Sequence, residues 1–322
     1  MRIGLIDVDG HHFPNLALMR ISAYRKAQGD DVEWYQPPLF GSWYDIVYMS
    51  KIFSDEYSPD VEEPLNADRI VKGGTGYCIS LDANGRERFD QSRNVSLPPE
   101  IEKMFPDYSI YPEYDYAVSM TSRGCLRGCP FCHVVAKEGR ESVKVADVRD
   151  FWNGQREIKV LDPNITACRE KRDLMRQYRE TKAWIDFTQG IDIRLVDDDD
   201  IADLNAMKIR MIHFAWDNPN DKLEEKFAEF TEKFRIKDHR KKTVYVLTNY
   251  EKVSVEEHIR RALQRIYALQ RVGYDPFVMV YDKPHAPKEI IRLQNWCNNK
   301  IIFHRCADFY DYVPNRSRLK KD

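Results

Sequence analysis

Residues 121–135 read TSRGCLRGCPFCHVV, and this stretch decides how the rest of the chain is interpreted. Three cysteines, Cys125, Cys129 and Cys132, are separated by three residues and then by two. This spacing can bring three thiolates onto one side of a single loop. Iron–sulfur and structural zinc sites usually take four protein ligands. Three cysteines without a fourth ligand would therefore leave one coordination position open, and the stretch predicts a metal or cluster site with a reactive vacancy.

The same stretch resembles the motif of the radical S-adenosylmethionine (SAM) enzymes, in which an aromatic residue precedes the third cysteine, as Phe131 does here. The preceding residues 122–124, SRG, are similar to the lead-in of members that carry a cobalamin-binding-like domain. The resemblance implies that the three cysteines hold a 4Fe-4S cluster whose fourth iron is chelated by SAM. It also implies an external electron donor of the flavodoxin or ferredoxin type, cleavage of SAM to a 5′-deoxyadenosyl radical, and hydrogen abstraction from a substrate. The cofactor would carry the radical chemistry, while the protein positions the reactants.

Two other interpretations of the cysteine stretch stay open at this point. One is a structural zinc site completed by His133 or by another cysteine, although zinc sites usually use paired CxxC hairpins or cysteine with histidine, and the sequence has no second CxxC. The other is a loop of unligated core cysteines. Two glycines, two arginines and a proline make the stretch a poor core segment.

Composition restricts the class of protein. The chain has 322 residues, 43% of them hydrophobic, enough for a small and a medium domain. Fifty basic and 52 acidic residues leave a net charge of −2, which selects neither nucleic acid nor an anionic membrane. The opening MRIGLIDVDG is typical of a strand and loop rather than of a secretory signal, and no window is apolar over the ~18 residues of a membrane span. We expect a cytoplasmic protein with no membrane partner.

The cysteine count indicates reduced thiols. Seven cysteines, an odd number without an export signal, argue against a disulfide framework. We expect Cys78, Cys168, Cys297 and Cys306 to be packed as small hydrophobic residues.

Residues 1–112 predict a Rossmann-like unit that is related to cobalamin-binding domains. Apolar runs at 3–8, 31–35 and 45–48 are typical of strands, and 16–27 has the periodicity of an amphipathic helix. Cobalamin-binding domains carry Asp-x-His-x-x-Gly where this chain has residues 7–12, DVDGHH, so Asp9 stands in the place of the cobalt-ligating histidine. We therefore expect no bound cobalamin. The glycine-rich residues 73–76 are either a remnant of the cobalamin tail site or a tight turn. Residues 81–114, rich in proline and tyrosine, predict a linker.

Residues 113–298 predict a six-strand partial β/α barrel of the TIM type. Strand-like segments at 116–120, 157–161, 184–188, 211–215, 243–247 and 277–281 alternate with helical stretches such as 222–234 and 255–270. This order matches the partial barrel that the resemblance implies, so the predicted fold class is α/β. Residues 299–322 form a C-terminal extension, with a predicted strand at 300–304. The basic residues 316–321 either contact RNA or form a frayed terminus.

Polar residues follow the predicted strands, where functional residues of parallel barrels lie. In the family a Gly-Gly-Glu-like motif after the second strand accepts the SAM ammonium group. This chain has Asp162, Pro163 and Asn164 there, so Asp162 or the exposed backbone carbonyls of this segment would have to serve. The resemblance further assigns the SAM carboxylate to Arg194 and places the adenine along the backbone near Phe131. It assigns the ribose hydroxyls to the following residues: Gln189, Asp192 and Asn249. Any of these residues can instead cap the following helix or form its turn.

The sequence thus predicts a radical SAM enzyme. The alternatives are a cobalamin-dependent radical SAM methyltransferase or a methylthiotransferase acting on RNA or protein, and, in another class, a non-catalytic zinc or iron–sulfur binding module. Neither charge nor any motif selects among a peptide, an RNA and a small molecule as substrate.

Overall fold

The computed structural model describes residues 1–40, 42–83 and 85–314. The predicted basic tail at 316–321 lies outside these residues. In the part of the chain that is described, no helix is both long and apolar enough to cross a membrane.

The described chain alternates strands with helices and forms two parallel sheets. The elements of the first 163 residues, in chain order, are β1 (Arg2–Asp7), α1 (Leu16–Ala27), β2 (Asp31–Trp34), β3 (Tyr44–Ser50), β4 (Ala67–Gly73), β5 (Ile79–Leu81), β6 (Glu87–Phe89), α2 (Pro99–Glu102), β7 (Ala117–Ser119), β8 (Ser122–Arg123), α3 (Val134–Glu138), β9 (Val143–Lys144) and β10 (Glu157–Val160). The remaining elements are α4 (Lys171–Thr181), β11 (Trp184–Ile191), α5 (Asp198–Ala206), β12 (Lys208–Ala215), α6 (Glu224–Lys233), β13 (Lys242–Thr248), α7 (Val255–Arg271), β14 (Asp275–Val280), α8 (Lys288–Asn298) and α9 (Lys300–Arg305).

The sheet topology confirms the predicted fold class. Four parallel strands lie in the order β2-β1-β3-β4, as in a Rossmann-like sheet. Six parallel strands lie in the order β14-β13-β12-β11-β10-β7, which is the strand order of the chain itself and of a partial β/α barrel. Two small antiparallel pairs, β5-β6 and β8-β9, complete the described sheets.

The chain folds as two compact units. The first contains Met1–Pro163 and Cys168–Ala183, and the second contains Asn164–Ala167 and the described chain from Trp184 onward. The predicted boundaries at residues 112 and 298 stay predictions.

The two central strands of the four-stranded sheet, β1 and β3, are largely buried, and apolar side chains lie on both of their faces. Ile3, Leu5 and Ile46 pack against Leu18 and Ile21 of α1 on one face, while residues of β1 and β3 form a second cluster. Parallel sheets are usually covered on both faces in this way. Strand β4 was missed by the sequence interpretation because it is an edge strand with two exposed and no buried residues, and it lacks the continuous apolar run of a buried strand.

The predicted linker at 81–114 holds more structure than expected. It contains β6 and α2, and its tyrosines anchor it to the first unit. Tyr111 is buried against Met19 and Val118, and the Tyr108 hydroxyl donates a 2.7 Å hydrogen bond to the Phe151 carbonyl oxygen.

The second unit is stabilised by helices that place apolar faces on β12–β14. Helix α7 buries Ile259, Leu263 and Ile266 along one face, as its periodicity predicted. It begins after Ser254, whose side-chain oxygen accepts a 3.2 Å hydrogen bond from the Glu257 amide, and it ends at Arg271, within one residue of the predicted end. Edge-to-face aromatic contacts add to this core, as between Phe214 and Phe230.

The predicted strand at 300–304 is wrong, because these residues form helix α9. Asn299 ends α8 and caps α9, accepting a 3.2 Å hydrogen bond from the Ile302 amide. The β-branched run Ile301–Ile302 imitated a strand, but only Phe303 of this helix is buried, 5.0 Å from Trp296 between ring centroids. Tertiary packing and a good cap therefore override the local strand propensity.

The structure of helix α9 predicts that truncation of Phe303 lowers the free energy of unfolding more than truncation of Ile301 does. In a strand, Ile301 and Phe303 would share a face, but in the helix Phe303 is 0% exposed and Ile301 is 69% exposed. We expect Phe303→Ala to lower the free energy of unfolding by about 3–5 kcal/mol and Ile301→Ala by less than about 0.5 kcal/mol. Urea denaturation of both variants measures this, and equal losses would contradict the helix.

Candidate functional site

The three predicted ligand cysteines lie in one loop between β8 and α3. The Cys125 amide donates to the Gly139 carbonyl oxygen at 3.2 Å, and the Cys132 amide donates to the Cys129 carbonyl oxygen at 3.0 Å. Cys125 and Cys129 are partly buried and Cys132 is exposed. The loop is thus ordered by its own backbone while its thiols stay near the surface of the first unit.

Gly124 allows this loop to close. Its φ is +88°, and a Cβ at this position would lie 2.0 Å from the Glu141 carbonyl oxygen. A side chain would therefore be both strained and blocked. The Gly124 amide also donates to the Glu138 carboxylate at 3.1 Å, which holds the start of the loop against the end of α3.

The buried carboxylate of Asp162 holds the residues that lead into the cysteine loop. Its Oδ1 accepts the Thr121 amide at 2.7 Å, and its Oδ2 accepts the Thr121 hydroxyl at 2.8 Å. The Ser122 amide and hydroxyl both donate to Oδ2 at 2.6 Å. Asp162 is 2% exposed. One side chain therefore satisfies two amides and two hydroxyls immediately before the first cysteine.

Burial and hydrogen bonding act in opposite directions on the pKa of the Asp162 carboxyl group. Burial raises the pKa of Asp162 to about 6, and the donors on Ser122 and Thr121 oppose the rise. The Tyr178 hydroxyl, also buried, donates to the Thr121 hydroxyl oxygen at 3.2 Å, and burial raises the pKa of Tyr178 well above its usual value. The carboxylate thus serves residues of its own unit, and the assignment of Asp162 to SAM stays a prediction.

The glycine-rich residues 73–76 pack against backbone of the first unit. A Cβ on Gly76 would lie 2.1 Å from the Phe53 carbonyl oxygen, so the residue must be glycine. The neighbouring Thr75 hydroxyl accepts a 2.8 Å hydrogen bond from Lys137 of α3, and burial lowers the pKa of Lys137. Gly74 has φ at +105°, and a Cβ there would lie 2.2 Å from the Lys51 carbonyl oxygen. The backbone conformation of Gly74 and the close packing of Gly76 favour the tight-turn interpretation.

At the carboxyl ends of β1 and β3, where such sheets bind ligands, two aspartates are hydrogen-bonded within the first unit. The Asp9 carboxylate accepts the amides of Ile52 at 2.5 Å and Phe53 at 3.2 Å. The Asp7 carboxylate accepts the hydroxyl of Tyr111 at 2.6 Å. Asp9, at the position of the missing histidine, therefore has a structural role of its own.

Three of the predicted SAM residues come together in the second unit. The Thr166 hydroxyl donates to Asn164 Oδ1 at 2.8 Å and accepts the Asp192 amide at 3.2 Å. Arg194 Nε donates to Asp192 Oδ1 at 2.6 Å, and Arg194 Nη1 donates to Asp221 at 2.7 Å. These carboxylates contribute to a raised pKa for Arg194, against the effect of burial.

Asp221 was missed by the sequence interpretation because it lies five residues beyond a strand-end tryptophan, in a loop without a motif. Asp192, Arg194 and Asp221 form a trio of two carboxylates and one guanidinium, whose formal charges sum to one negative charge. The trio can therefore attract a cation, which is the opposite of the role predicted for Arg194.

The other two predicted ribose contacts, Gln189 and Asn249, lie on β11 and directly after β13. Gln189 is exposed near the end of β11. Asn249 follows β13 with φ at +66° and donates from Nδ2 to the Tyr281 carbonyl oxygen at 2.9 Å. The preceding Thr248 is 4% exposed, and its hydroxyl has no hydrogen-bond partner among the described residues. A buried polar atom of this kind marks a place where a ligand or water can bind.

A second polar group lies on β11–β13. His213 Nδ1 donates to the Phe187 carbonyl oxygen at 3.0 Å and lies 3.5 Å from the Asp186 carboxylate. Its ring stacks on Tyr245, with 5.5 Å between centroids and 13° between planes, and the Tyr245 hydroxyl donates to the Thr188 carbonyl oxygen at 3.2 Å. The sequence singled out His213 alone. Asp186, a carboxylate between Ile185 and Phe187 on β11, was a signal that could have identified its partner.

A buried arginine fixes the ends of β12 and β13. Arg265 is 3% exposed and donates to the carbonyl oxygens of Trp216 at 2.6 Å, Asp217 at 2.9 Å and Leu247 at 2.9 Å. Burial lowers its pKa to about 10 and raises the pKa of Asp217 to about 6. Sequence interpretation missed Arg265, because an arginine on an amphipathic helix normally faces solvent.

Comparison with known proteins identifies similar folds and no close relatives. No family model matches the chain, and no curated protein matches it. Among solved structures it is similar to the cobalamin-dependent S-adenosylmethionine radical enzyme OxsB, determined with aqua-cobalamin and SAM, with a TM-score of 0.53 and 13% identity over 94% of this chain and 56% of OxsB. SuiB of Streptococcus suis, bound to the precursor peptide SuiA, is similar with a TM-score of 0.41 and 14% identity over 68% of this chain and 55% of SuiB.

The chain therefore spans a little over half the length of these two proteins. At 13% identity, the likeness to OxsB establishes a shared fold, the α/β architecture with a partial barrel.

The hydrogen bonds of the Asp162 carboxylate predict the effect of replacing one of its oxygens by an amide nitrogen. Asp162→Asn replaces an oxygen acceptor by an amide donor, so buried donors of Thr121 and Ser122 lose their partner. We expect the free energy of unfolding to fall by about 2–4 kcal/mol and the variant to retain less iron after anaerobic reconstitution. Asp115→Asn, at an exposed position, is the matched control. Wild-type stability and iron content in Asp162→Asn would contradict the anchoring role.

Proposed function

We propose that this protein is a radical SAM enzyme. In this proposal Cys125, Cys129 and Cys132 hold a 4Fe-4S cluster, at which SAM is reductively cleaved to methionine and a 5′-deoxyadenosyl radical that abstracts a hydrogen atom from a substrate. The observation that carries the proposal is the ordered cysteine loop directly after the first strand of a six-strand parallel sheet.

The donor set fits such a cluster. Thiolates are the usual ligands of iron–sulfur clusters, and these three lie in a loop whose close turns depend on Gly124 and whose start is held by Asp162. All seven cysteines, which lie among the described residues, are thiols, and none of them forms a disulfide. The likeness to the fold of OxsB supports the same conclusion.

The chain's own residues would bind and orient SAM. The trio of Asp192, Arg194 and Asp221 carries one net negative charge, which suits the ammonium and sulfonium groups of SAM better than its carboxylate. Asn164 joins this group through Thr166. We retain Phe131, Gln189 and Asn249 as proposed contacts for the adenine and ribose, and Asp162 as a positioning residue.

The polar group of Asp186, His213 and Tyr245 is the proposed place for part of the substrate. These side chains carry hydrogen-bonding atoms on strands whose other faces are apolar, so they can orient a polar substrate. We propose an external flavodoxin or ferredoxin as the electron donor. The substrate class remains a peptide, an RNA or a small molecule.

A methylthiotransferase would need a second cluster, and three of the four cysteines outside the loop suit that role poorly. Cys297 is buried, with a pKa raised to about 12 by burial, and its thiol donates to the Pro276 carbonyl oxygen at 3.4 Å. Burial also raises the pKa values of Cys78 and Cys168. Thiols that stay protonated are poor metal ligands. We therefore propose one cluster, and about four iron atoms per chain after reconstitution.

The proposal predicts 5′-deoxyadenosine formation that depends on the loop cysteines. Anaerobically reconstituted protein, reduced with dithionite and given SAM, should form 5′-deoxyadenosine, measured by liquid chromatography and mass spectrometry. Cys129→Ala should reduce this product by at least about 100-fold, because the cluster loses one of its three thiolate ligands. Cys306→Ala, at a partly buried cysteine outside the loop, is the matched control. Product formation at the wild-type rate by Cys129→Ala would end the proposal.

We further propose that turnover does not need cobalamin, because Asp9 stands in the place of the cobalt-ligating histidine and its carboxylate accepts the backbone amides of Ile52 and Phe53. OxsB is cobalamin-dependent, so this point needs its own test. After incubation with hydroxocobalamin and gel filtration, the protein should show no cobalamin absorbance, and 5′-deoxyadenosine formation should be unchanged. A stoichiometric bound corrinoid would contradict this proposal and favour the methyltransferase alternative.

A further inference from the structure

Two histidines and a buried aspartate converge in the second unit, away from the residues assigned above. The His239 Nδ1 atom lies 2.8 Å from Asp275 Oδ1, and the His304 Nε2 atom lies 3.2 Å from the same oxygen. The ligand atoms of all three residues lie within 4.8 Å of one another, and the two imidazole centroids are 4.7 Å apart.

Three separate elements supply this cluster. His239 lies in the short 3-10 helix before β13, Asp275 is the first residue of β14, and His304 lies on α9. The cluster therefore lies at the amino ends of β13 and β14, whereas Thr248 and Asn249 follow the carboxyl end of β13. Asp275 is 4% exposed and is held by the sheet register opposite Thr243.

The spacing matches the ligands of one metal ion. A tetrahedral zinc ion with bonds of about 2.0–2.1 Å places neighbouring ligand atoms roughly 3.3 Å apart. The separations of 2.8 and 3.2 Å lie close to that value, and the remaining pair of ligand atoms is within 4.8 Å. Two imidazoles and one carboxylate are also a ligand set that divalent transition metals prefer.

Solvent access leaves room for a fourth ligand. The side chains of His239 and His304 are 42% and 39% exposed, while that of Asp275 is 5% exposed. Water can therefore complete the coordination from the histidine side, while the buried carboxylate supplies the charge. Three protein ligands and one water are typical of accessible zinc sites.

Nearby cations limit the affinity of such a site. Lys300 interacts electrostatically with Asp275, and burial lowers the pKa of Lys300. Its amine donates hydrogen bonds to the carbonyl oxygens of Pro276 and Cys297. Arg240 also interacts with Asp275. One carboxylate in the presence of two cations favours a reversible site over a tightly closed structural one.

We propose that His239, Asp275 and His304 bind a divalent transition-metal ion of the zinc type and connect α9 to the amino ends of β13 and β14. This inference does not depend on the proposed radical SAM function, since none of its residues belongs to the cysteine loop or to the proposed SAM contacts.

Zinc titration of the full chain tests the site. Tag-free protein with its cluster reconstituted is treated with a chelator, exchanged into chelator-free buffer and titrated with Zn²⁺ by calorimetry. A parallel Co²⁺ titration reports visible absorption bands of a four-coordinate site with nitrogen and oxygen ligands. We expect one site per chain, with binding weakened by more than about tenfold in His304→Gln and in His239→Gln. His12→Gln, at an exposed histidine, should bind as the wild type does.

Thermal unfolding gives an independent measurement that includes the buried ligand. Zn²⁺ should raise the melting temperature of the wild type and of His12→Gln, because an ion that binds the folded state stabilises it. The rise should be lost in His304→Gln and in Asp275→Asn, whatever the starting stability of each variant. Absence of zinc binding by the wild type would overturn the proposal. Zinc binding and thermal stabilisation of His304→Gln and His239→Gln that equal those of the wild type would also overturn it. A cysteine-loop zinc site would instead respond to Cys129→Ala.

Discussion

The cysteine loop depends on one buried carboxylate. Asp162 accepts two amides and two hydroxyls from consecutive residues, Thr121 and Ser122. A carboxylate can accept all of these donors at once, whereas an amide or an alcohol cannot. Because burial penalises the charged form, the carboxylate is stable only while those donors stay in place. Loop order and the ionised state of Asp162 are therefore coupled, and this coupling fixes the position of the first cysteine relative to β7 and β10.

In the second unit, a buried arginine has a role similar to that of Asp162. Arg265 is a buried cation whose guanidinium donates to the carbonyl oxygens of Trp216 and Asp217, directly after β12, and of Leu247, near the end of β13. Such charge-assisted hydrogen bonds hold backbone at the strand ends more firmly than neutral bonds would. The side chains that follow, from Asp217 to Asn249, are thereby presented from fixed backbone. In each unit a buried ion, Asp162 in the first and Arg265 in the second, is satisfied by donors or acceptors of the chain and holds backbone near strand ends.

Much of the fold could be predicted from the sequence because its signals are local. Helix α1 was predicted with its observed bounds, and all six strands of the partial barrel were found as apolar runs. The errors arose where tertiary context decides the structure. Strand β4 lacks an apolar run because it lies at a sheet edge, and α9 carries a strand-like sequence that its cap and the burial of Phe303 convert to a helix.

The sequence predicts the candidate ligands but not the hydrogen bonds around them. The cysteine spacing is a sequence property, so Cys125, Cys129 and Cys132 could be proposed as ligands without coordinates, and their role as ligands stays a prediction. The pairing of Arg194 with two carboxylates, and the four donors on Asp162, depend on which loops approach one another. Residue type alone suggested a cation for the SAM carboxylate at Arg194, whereas its partners give that position a net negative charge. The charge of a site belongs to the whole group of contacts, which sequence does not display.

Electron paramagnetic resonance of the reduced, reconstituted protein, recorded with and without SAM, tests the central claim most directly. The account predicts the signal of a reduced 4Fe-4S cluster whose g values shift when SAM is added, because the three cysteines leave one iron open to it. The signal should be absent from Cys129→Ala. A cluster signal that SAM leaves unchanged, or a colourless protein whose loop cysteines bind one zinc ion, would contradict it.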